Sequence, residues 1–377
     1  MSNGTILYVG NYELPDKNAA AHRVIANGKI FRELGYRVAY LGVVRDTEHF
    51  DGIRRADYMP DVYEEAYPAS GKEWLRHVFD VSNILETVSK YGDVRMVILY
   101  NVPYATLKRV KHALRNTEIK VCYDCTEWNN WAEGSLPKRL YKKIDARQIE
   151  NRVGRKADGM IVISSMMMKK YGGQAVSVKL PPLVDTDDPI WHQEKKQHEG
   201  FEFCFAGTIG NKESLEKIIS AFGRLELSDT VLRIIGLNKE KFLGSHPEYR
   251  EQIDRLGDRI VFMGMLPHTE AVRNVLSCDT YIFVRESIVR NEAGFPTKFV
   301  EAFTSGVPII TTNVSDVKEY MNLCGGGILL QSCGEDEILD AMRRSAENRG
   351  SGSGLRDTFD YRSFIQITKA WIEKVIK

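Results

Sequence analysis

Short apolar runs alternate with stretches of helical periodicity along the first half of the chain. Residues 6–9, 38–43, 96–100, 121–123 and 160–163 are apolar runs of strand length, and a helical pattern covers about 19–34. That rhythm predicts a parallel sheet wrapped by helices. It restarts at Phe201, with apolar runs at 201–205, 231–235, 260–262, 280–284 and 307–311 and a helical pattern over about 214–222. Two Rossmann-like halves are the economical reading. Between them Pro181-Pro182-Leu183-Val184-Asp185 and the polar, aperiodic stretch 187–200 read as a linker. The end of the chain, 360–376, is helical in pattern after a Gly/Ser-rich break at 350–354, and periodicity does not say where it packs.

At 377 residues the chain exceeds what one hydrophobic core supports, so two domains with a site in the cleft between them are expected. Hydrophobic residues at 43% and charged ones at 27% describe a soluble globular protein. With 52 basic against 51 acidic residues the formal charge is +1, which argues against non-specific nucleic-acid binding. No apolar run is long enough to span a bilayer, and Met-Ser-Asn-Gly passes straight into Thr-Ile-Leu-Tyr-Val, so a cytoplasmic chain without an export signal is expected. Six cysteines lie scattered beside apolar residues, as buried thiols in a reducing compartment do. Cys122 and Cys125 form a lone C-x-x-C with no second pair, which reads as two thiols at a strand end rather than a zinc site.

Ligands of open parallel sheets bind beyond the carboxyl ends of the strands, so the residues after each apolar run carry the candidate chemistry. The segment 290–308 is the richest. Gly294 and Pro296 precede a helix start, where free N–H groups favour an anion, and Lys298 and Glu301 stand one turn apart, able to address one ligand's phosphates and sugar hydroxyls. Gly207-Thr208-Ile209-Gly210-Asn211-Lys212 follows a strand and makes a candidate phosphate cradle, or a plain tight turn. Gly236 and Gly264-Met265-Leu266 close two further strands, with backbone groups placed to read a base edge or merely to end the strand. In the first half Asp124, Glu127 and Trp128 cluster at a strand end, as a cleft-facing acid or base or as a helix cap. Asn18, His22 and Arg23 open a helix among small residues. The basic stretch 138–156 reads either as a face for anionic lipid or as the solvated side of a core helix.

Taken in order, these elements resemble glycosyltransferase family 4, the retaining nucleotide-sugar enzymes of GT-B fold. The resemblance runs from Arg147–Glu150 through Ala157-Asp158-Gly159 to Pro181-Pro182-Leu183-Val184-Asp185. It continues with Phe205-Ala206-Gly207, Gly236, Gly264, Gly294-Phe295-Pro296-Thr297-Lys298, Glu301-Ala302 and Gly306-Val307-Pro308. It implies an α/β chain of two Rossmann-like domains facing each other across a cleft. An acceptor domain would span 1–183, with the helix 360–377 packing back on it, and a nucleotide-sugar domain would span 184–359. The implied activity is transfer of a hexose from a UDP- or GDP-sugar to an acceptor hydroxyl, in cell-surface polysaccharide or glycolipid synthesis.

The second carboxylate of the family's E-x7-E motif, Glu301 here, binds the nucleotide ribose, and backbone and side chains before it hold the sugar. Lys212 matches a diphosphate-binding lysine, whereas Thr208 stands where an arginine is common, leaving Lys298 or Arg285 to supply that charge. The residue eight before Glu301 is Ala293, and Glu292 is one position out of register. Sugar contacts are therefore expected from Asn291 and the Ala293-Gly294-Phe295 backbone, with Glu292, out of register for the sugar-binding carboxylate, kept only among the donor-side residues. The remaining donor-side expectations are Gly207, Gly236, Met265, Leu266, Pro296 and Thr297. Asp124 stands where relatives place a histidine near the reacting sugar, and Asp124, Glu127 and Lys298 are the expected catalytic residues. Asn18, His22 and Arg23 are expected on the acceptor side. No strand end carries a D-x-D motif, so no metal or other cofactor is expected. The implied partners are the nucleotide sugar and a saccharide or lipid-linked saccharide, with room for peripheral contact at a membrane's inner face. A sugar-nucleotide epimerase and a non-catalytic partner subunit are the competing readings.

Overall fold

The computed structural model of the protein describes residues 2–45, 50–128, 136–207, 213–323, 327–348 and 356–377. Contacts divide the chain into Met1–Val184 with Asp360–Lys377 (unit 1) and Asp185–Phe359 (unit 2).

Unit 1 opens with β1 (Thr5–Gly10), α1 (Ala19–Glu33) and β2 (Arg37–Val44). The short β3 (Arg54–Arg55) and β4 (Val62–Ala66) follow, then α2 (Gly71–Phe79) and α3 (Ser82–Ser89). The alternation ends with β5 (Val94–Tyr100), α4 (Tyr104–Ala113), β6 (Lys120–Cys125), α5 (Leu136–Lys156), β7 (Gly159–Val162), α6 (Ser165–Tyr171) and β8 (Val176–Lys179). Every residue of β1 is buried, as befits a central parallel strand covered on both faces. Helix α1 starts where Asn18 Oδ1 accepts from Ala21 N and stops at Gly35, whose φ of +81° only glycine adopts cheaply. There Tyr36 N donates to Phe31 O and Gly35 N to Arg32 O, which closes the helix and turns the chain into β2.

Unit 2 contains β9 (Phe201–Ala206), α7 (Leu215–Gly223), β10 (Thr230–Ile235), α8 (Lys239–Ser245), α9 (Arg250–Leu256), β11 (Ile260–Phe262) and α10 (His268–Ser277). It continues with β12 (Thr280–Phe283), α11 (Val289–Ala293), α12 (Thr297–Thr304), β13 (Ile309–Thr312), α13 (Val317–Met321), β14 (Ile328–Leu330) and α14 (Glu335–Asn348). The last helix, α15 (Ile365–Ile376), belongs to unit 1, where Trp371 Nε1 donates to Val176 O at 3.0 Å.

The unit 1 sheet has eight strands in the order β3-β4-β2-β1-β5-β6-β7-β8, parallel except for β3 against β4. The unit 2 sheet has six parallel strands in the order β11-β10-β9-β12-β13-β14. In each sheet the strand order reverses beside the first strand, at β1/β5 and at β9/β12. A crevice opens at the carboxyl ends of such a pair because the flanking connections leave in opposite directions.

The stretch 187–200 is not the linker its composition suggests. Trp191 is buried, Gln193 Nε2 donates to Thr269 O at 3.0 Å, and Lys196 pairs with Glu270 at 2.6 Å, so the segment is strapped along α10. Polar residues without periodicity fold here because their partners lie on another element. Behind α12, Phe295, Phe299, Phe303, Tyr320 and Phe359 form an aromatic cluster, with Tyr320 and Phe359 centroids 4.6 Å apart.

Candidate functional site

At the carboxyl edge of the unit 2 sheet, three glycines bring neighbouring strand ends into backbone contact. Gly207 N donates to Ile235 O at 2.9 Å, Gly236 N to Gly264 O at 2.7 Å, and Gly264 N to Leu237 O at 3.0 Å. Gly236 has φ +92°, and a Cβ there would lie 2.5 Å from Gly207 O, so no larger residue fits without displacing that strand end. Met265, beyond Gly264, is exposed, and Leu266 is half-buried. Backbone groups and an apolar surface thus stand together where a flat base can lie.

Helix α12 carries the charged pair. Lys298 Nζ lies 2.8 Å from Glu301 Oε2, and His268 Nε2, at the start of α10, lies 3.9 Å from the other oxygen, Oε1. Burial pushes the nearby Tyr281 phenol well above its usual pKa, so it stays a neutral donor and bonds Ala206 O at 3.1 Å. The glutamate therefore belongs to the same edge as the β9 end. His268 was not singled out in the sequence; its signal is its place as the first helical residue after the strand-closing Gly264-Met265-Leu266-Pro267.

Arg285, just past β12, is also paired. Its Nε lies 3.1 Å from Glu213 Oε1, and its backbone N donates to Thr312 Oγ1 at 2.9 Å. A guanidinium so held serves a phosphate only by exchanging or sharing Glu213. Glu213 too went unnoticed in the sequence, because nothing local marks it. Thr208 and Lys212 lie outside the described residues.

The segment 291–297 departs from the expected pattern. Asn291 is buried, and its Nδ2 donates to Glu286 O at 2.8 Å. Glu292 accepts from Ser287 Oγ at 2.7 Å and from Ser315 N at 3.0 Å, tying α11 to the loop after β13. The Asn291 amide nitrogen and the Glu292 carboxylate are thus engaged by neighbouring backbone and serine groups. Ala293 is buried, and the Phe295 ring joins the aromatic cluster, leaving only their backbone for a ligand. Gly294 has φ −78°, which any residue adopts, and its carbonyl accepts from Ser315 Oγ. Pro296 is the cap of α12 and makes no side-chain cap bond; Phe299 N donates to Pro296 O at 3.0 Å, so an anion at this helix start would meet the N–H groups of Thr297 and Lys298.

In unit 1 the structure corrects the reading of Asp124 as a cleft-facing acid or base. Asp124 is 0% exposed and Arg23 4%. Arg23 Nη2 donates to Asp124 Oδ1 at 2.8 Å, Tyr8 Oη to Oδ2 at 2.6 Å, and Asn27 Nδ2 to Oδ2 at 3.4 Å. Arg23 Nη1 reaches Leu180 O at 2.9 Å and Pro181 O at 3.3 Å. Burial pulls the guanidinium pKa down, but the Asp124 charge and its hydrogen bonds outweigh that and leave it raised. The same burial removes Arg23 from the acceptor side. Asn18 serves as the cap of α1, His22 Nε2 lies 3.0 Å from Asp16 O, and Glu127 is half-buried past the end of β6.

The β1/β5 switch exposes residues that the sequence did not mark. Asn101, at φ +48°, accepts from Thr126 N at 3.0 Å, and Thr126 Oγ1 donates to Tyr100 Oη at 3.3 Å. His77 Nε2 lies 2.9 Å from Asn11 Oδ1, and its Nδ1 3.1 Å from Glu65 Oε1. Burial raises the Cys122 thiol and pushes Cys125 up to about 12, so both stay protonated. Among the described residues no cluster of three His, Cys, Asp or Glu side chains is arranged to hold a metal ion.

Residues 187–363 match the family model described as glycosyl transferases group 1. This stretch contains every one of the unit 2 residues above. No curated protein matches the chain in sequence. Among solved structures, sucrose-phosphate synthase from Thermosynechococcus elongatus is similar at 12% identity and a TM-score of 0.71, spanning 98% of this chain and 99% of its own. The catalytic domain of starch synthase IV from Arabidopsis thaliana, bound to ADP and acarbose, matches at 11% identity and a TM-score of 0.72, spanning 100% of both chains. HepE from Anabaena, in complex with UDP and glucose, matches at 14% identity and a TM-score of 0.68, spanning 98% of this chain and 100% of its own. The fold is GT-B.

Proposed function

We propose that the chain is a retaining glycosyltransferase of family 4 that moves a hexose from a UDP- or GDP-sugar to a hydroxyl of a saccharide or lipid-linked saccharide, in cell-surface polysaccharide or glycolipid synthesis. The observation that carries this reading is the Lys298–Glu301 pair on α12, beside His268 and the glycine-lined strand ends, inside the stretch matching the group 1 model. The UDP and glucose of HepE and the ADP of starch synthase IV support a nucleoside diphosphate sugar as donor.

In this reading Glu301 accepts the ribose hydroxyls, and Lys298 leaves its carboxylate partner for the diphosphate. When the bond from the anomeric carbon to the diphosphate breaks, its electron pair stays on the diphosphate oxygen. Lys298 and the uncapped N–H groups opening α12 oppose that charge where it develops. The acceptor oxygen bonds to the anomeric carbon on the face the diphosphate leaves, and its proton passes to a diphosphate oxygen. Configuration is thereby retained. The charge is met by fixed cationic groups without a divalent metal, so turnover in a chelator is expected to equal turnover without one.

A thermal-shift series of the full chain with UDP-, GDP-, TDP- and ADP-sugars identifies the donor, because a ligand bound only by the native state raises its stability. Lys298→Ala is expected to lower turnover by roughly 10²–10³. Glu301→Ala is expected to weaken donor binding by ~1.5–3 kcal/mol, roughly ten- to a hundredfold. Wild-type rates in both variants overturn the site, and a product with inverted anomeric configuration overturns retention.

A further inference from the structure

Unit 1 carries a surface that no step of the transfer uses. On α5, Leu140 and Ile144 are 61% and 48% exposed and, four residues apart, share one face; on α2, Leu75 and Phe79 are 51% and 37% exposed and do the same. The two helices meet at Tyr141, whose ring centroid lies 4.9 Å from Trp74 and 6.2 Å from Phe79. Beneath them Phe79, Ile144, Tyr141, Lys108 and Arg109 line an open cavity of about 350 Å³. Four large apolar side chains on two touching helices make one patch rather than scattered exposure, and such patches mark interaction sites.

Cations outnumber acids around the patch, where Asp80 and Asp51 stand near Arg76 and Asp145 lines the cavity. Lys138 Nζ sits 5.5 Å from the Trp74 ring centroid and Arg109 5.6 Å from that of Phe79, while Lys108 and Arg147 are exposed. The acids on the same helices are turned to partners of their own. Glu73 accepts from Ala69 N at 2.9 Å, Asp80 from Ser82 N at 2.9 Å, and Asp145 from Tyr104 N at 2.8 Å, while Glu150 pairs with Lys170 at 3.2 Å. Helix α4 has none. Exposed apolar tips flanked by an excess of cations, with Lys108, Lys138 and Arg147 exposed, fit a surface that is negative outside and apolar within.

We propose that the α2–α4–α5 face of unit 1 docks on the surface of an anionic phospholipid bilayer, with Leu75, Phe79, Leu140 and Ile144 entering the interface and the flanking lysines and arginines facing headgroup phosphates. Among the described residues no helix is long and apolar enough to cross a membrane, so this contact is peripheral. The docking stands apart from the glycosyl-transfer reading, since none of its residues belongs to the donor edge.

The test is sedimentation of the full chain with vesicles of phosphatidylcholine alone and of phosphatidylcholine with phosphatidylglycerol. Binding is expected only to the anionic vesicles and falls steeply with added salt. The double variant Leu140→Ser/Ile144→Ser is expected to bind at least about tenfold more weakly, and Lys108→Glu/Arg109→Glu weaker by roughly fivefold or more per charge. Both pairs are at the surface, so their thermal unfolding should match the wild type; Leu75→Ser serves if the α5 pair does not. Equal sedimentation with neutral and anionic vesicles, or unweakened binding by the variants, overturns the proposal. A concentration-dependent dimer that Leu140→Ser/Ile144→Ser dissociates, without vesicle binding by the wild type, also overturns it and assigns the patch to self-association.

Discussion

Asp124→Asn decides whether this carboxylate reacts or supports. The substitution is nearly isosteric but removes the only carboxylate bonded to the Arg23 guanidinium among the described residues, leaving a cation 4% exposed with two backbone carbonyls and a neutral amide. Removing one partner of a buried ion pair costs about 3–5 kcal/mol, because the remaining charge stays desolvated without compensation. Unit 1 spans roughly 200 residues, a size at which 1 kcal/mol moves Tm by ~2–4 °C, so a fall of ~6–20 °C is expected. The double variant Arg23→Met/Asp124→Leu removes both ions and should be less destabilised than the two single variants summed, by ~2 kcal/mol or more. The assay is urea unfolding followed by fluorescence and far-UV circular dichroism, with turnover measured on the folded fraction. If Asp124→Asn unfolds like the wild type yet loses turnover a hundredfold or more, the buried-support argument fails and a chemical role for Asp124 returns. Additivity of the two single variants would sink the pairing argument by itself.

Gly236→Ala and Gly264→Ala separate backbone strain from close approach. Both positions have positive φ, but a Cβ at Gly236 meets Gly207 O at 2.5 Å, whereas one at Gly264 meets nothing within 4 Å. Gly264→Ala should therefore cost ~1–2 kcal/mol and leave donor affinity alone, while Gly236→Ala should cost more and weaken donor binding by displacing the β9 end. Equal effects in calorimetry and donor titration would refute the close-approach account. Burial raises the Asp145 carboxyl to about 6 against the downward pull of its Tyr104 N–H bond. A carboxyl raised in the folded state holds a proton that the unfolded chain has released, so this group's contribution falls as pH rises from about 4 to about 6. Asp145→Asn keeps an oxygen for Tyr104 N and removes the charge, so it should add ~1–2 kcal/mol at pH 7 and little at pH 4. A stability gain independent of pH would contradict that origin.

The two parallel sheets are legible because a strand covered on both faces is built mainly of apolar residues, as the runs 6–9 and 201–205 are. The exceptions in those strands are themselves paired: Glu202 in β9 sits against Arg233 of β10. The short β3 and β4 escape notice because Arg54-Arg55 and Val62-Tyr63-Glu64-Glu65-Ala66 carry no apolar run; their pairing is set instead by a salt bridge, Arg54 to Glu64 at 2.9 Å, across a sheet edge. The stretch 187–200 fails for a related cause. Periodicity reports burial against one's own element's neighbours, and Lys196 or Gln193 folds by reaching α10 some seventy-five residues on.

The same limit governs the candidate site, and it explains why the two halves of the chain differ in how well they read. Lys298 and Glu301 are three residues apart on one helix, so their meeting follows from helical geometry alone. Arg23 and Asp124 are separated by 101 residues and Arg285 and Glu213 by 72, and no spacing rule connects them. A carboxylate at a strand end therefore looks the same in sequence whether it faces solvent or an arginine. What distinguishes them is the partner's burial: Asp124 closes a network of Tyr8, Arg23 and Asn27 gathered from β1 and α1, whereas Glu301 keeps its second oxygen only 3.9 Å from a half-buried histidine. A fully bonded buried carboxylate has no lone pair left for a ligand without paying its desolvation again, and a partly exposed one bonded by a single lysine does. On that ground the Lys298–Glu301 edge of unit 2 is where substitution is expected to change ligand affinity with little change in stability, and the Arg23–Asp124 network is where the reverse should hold.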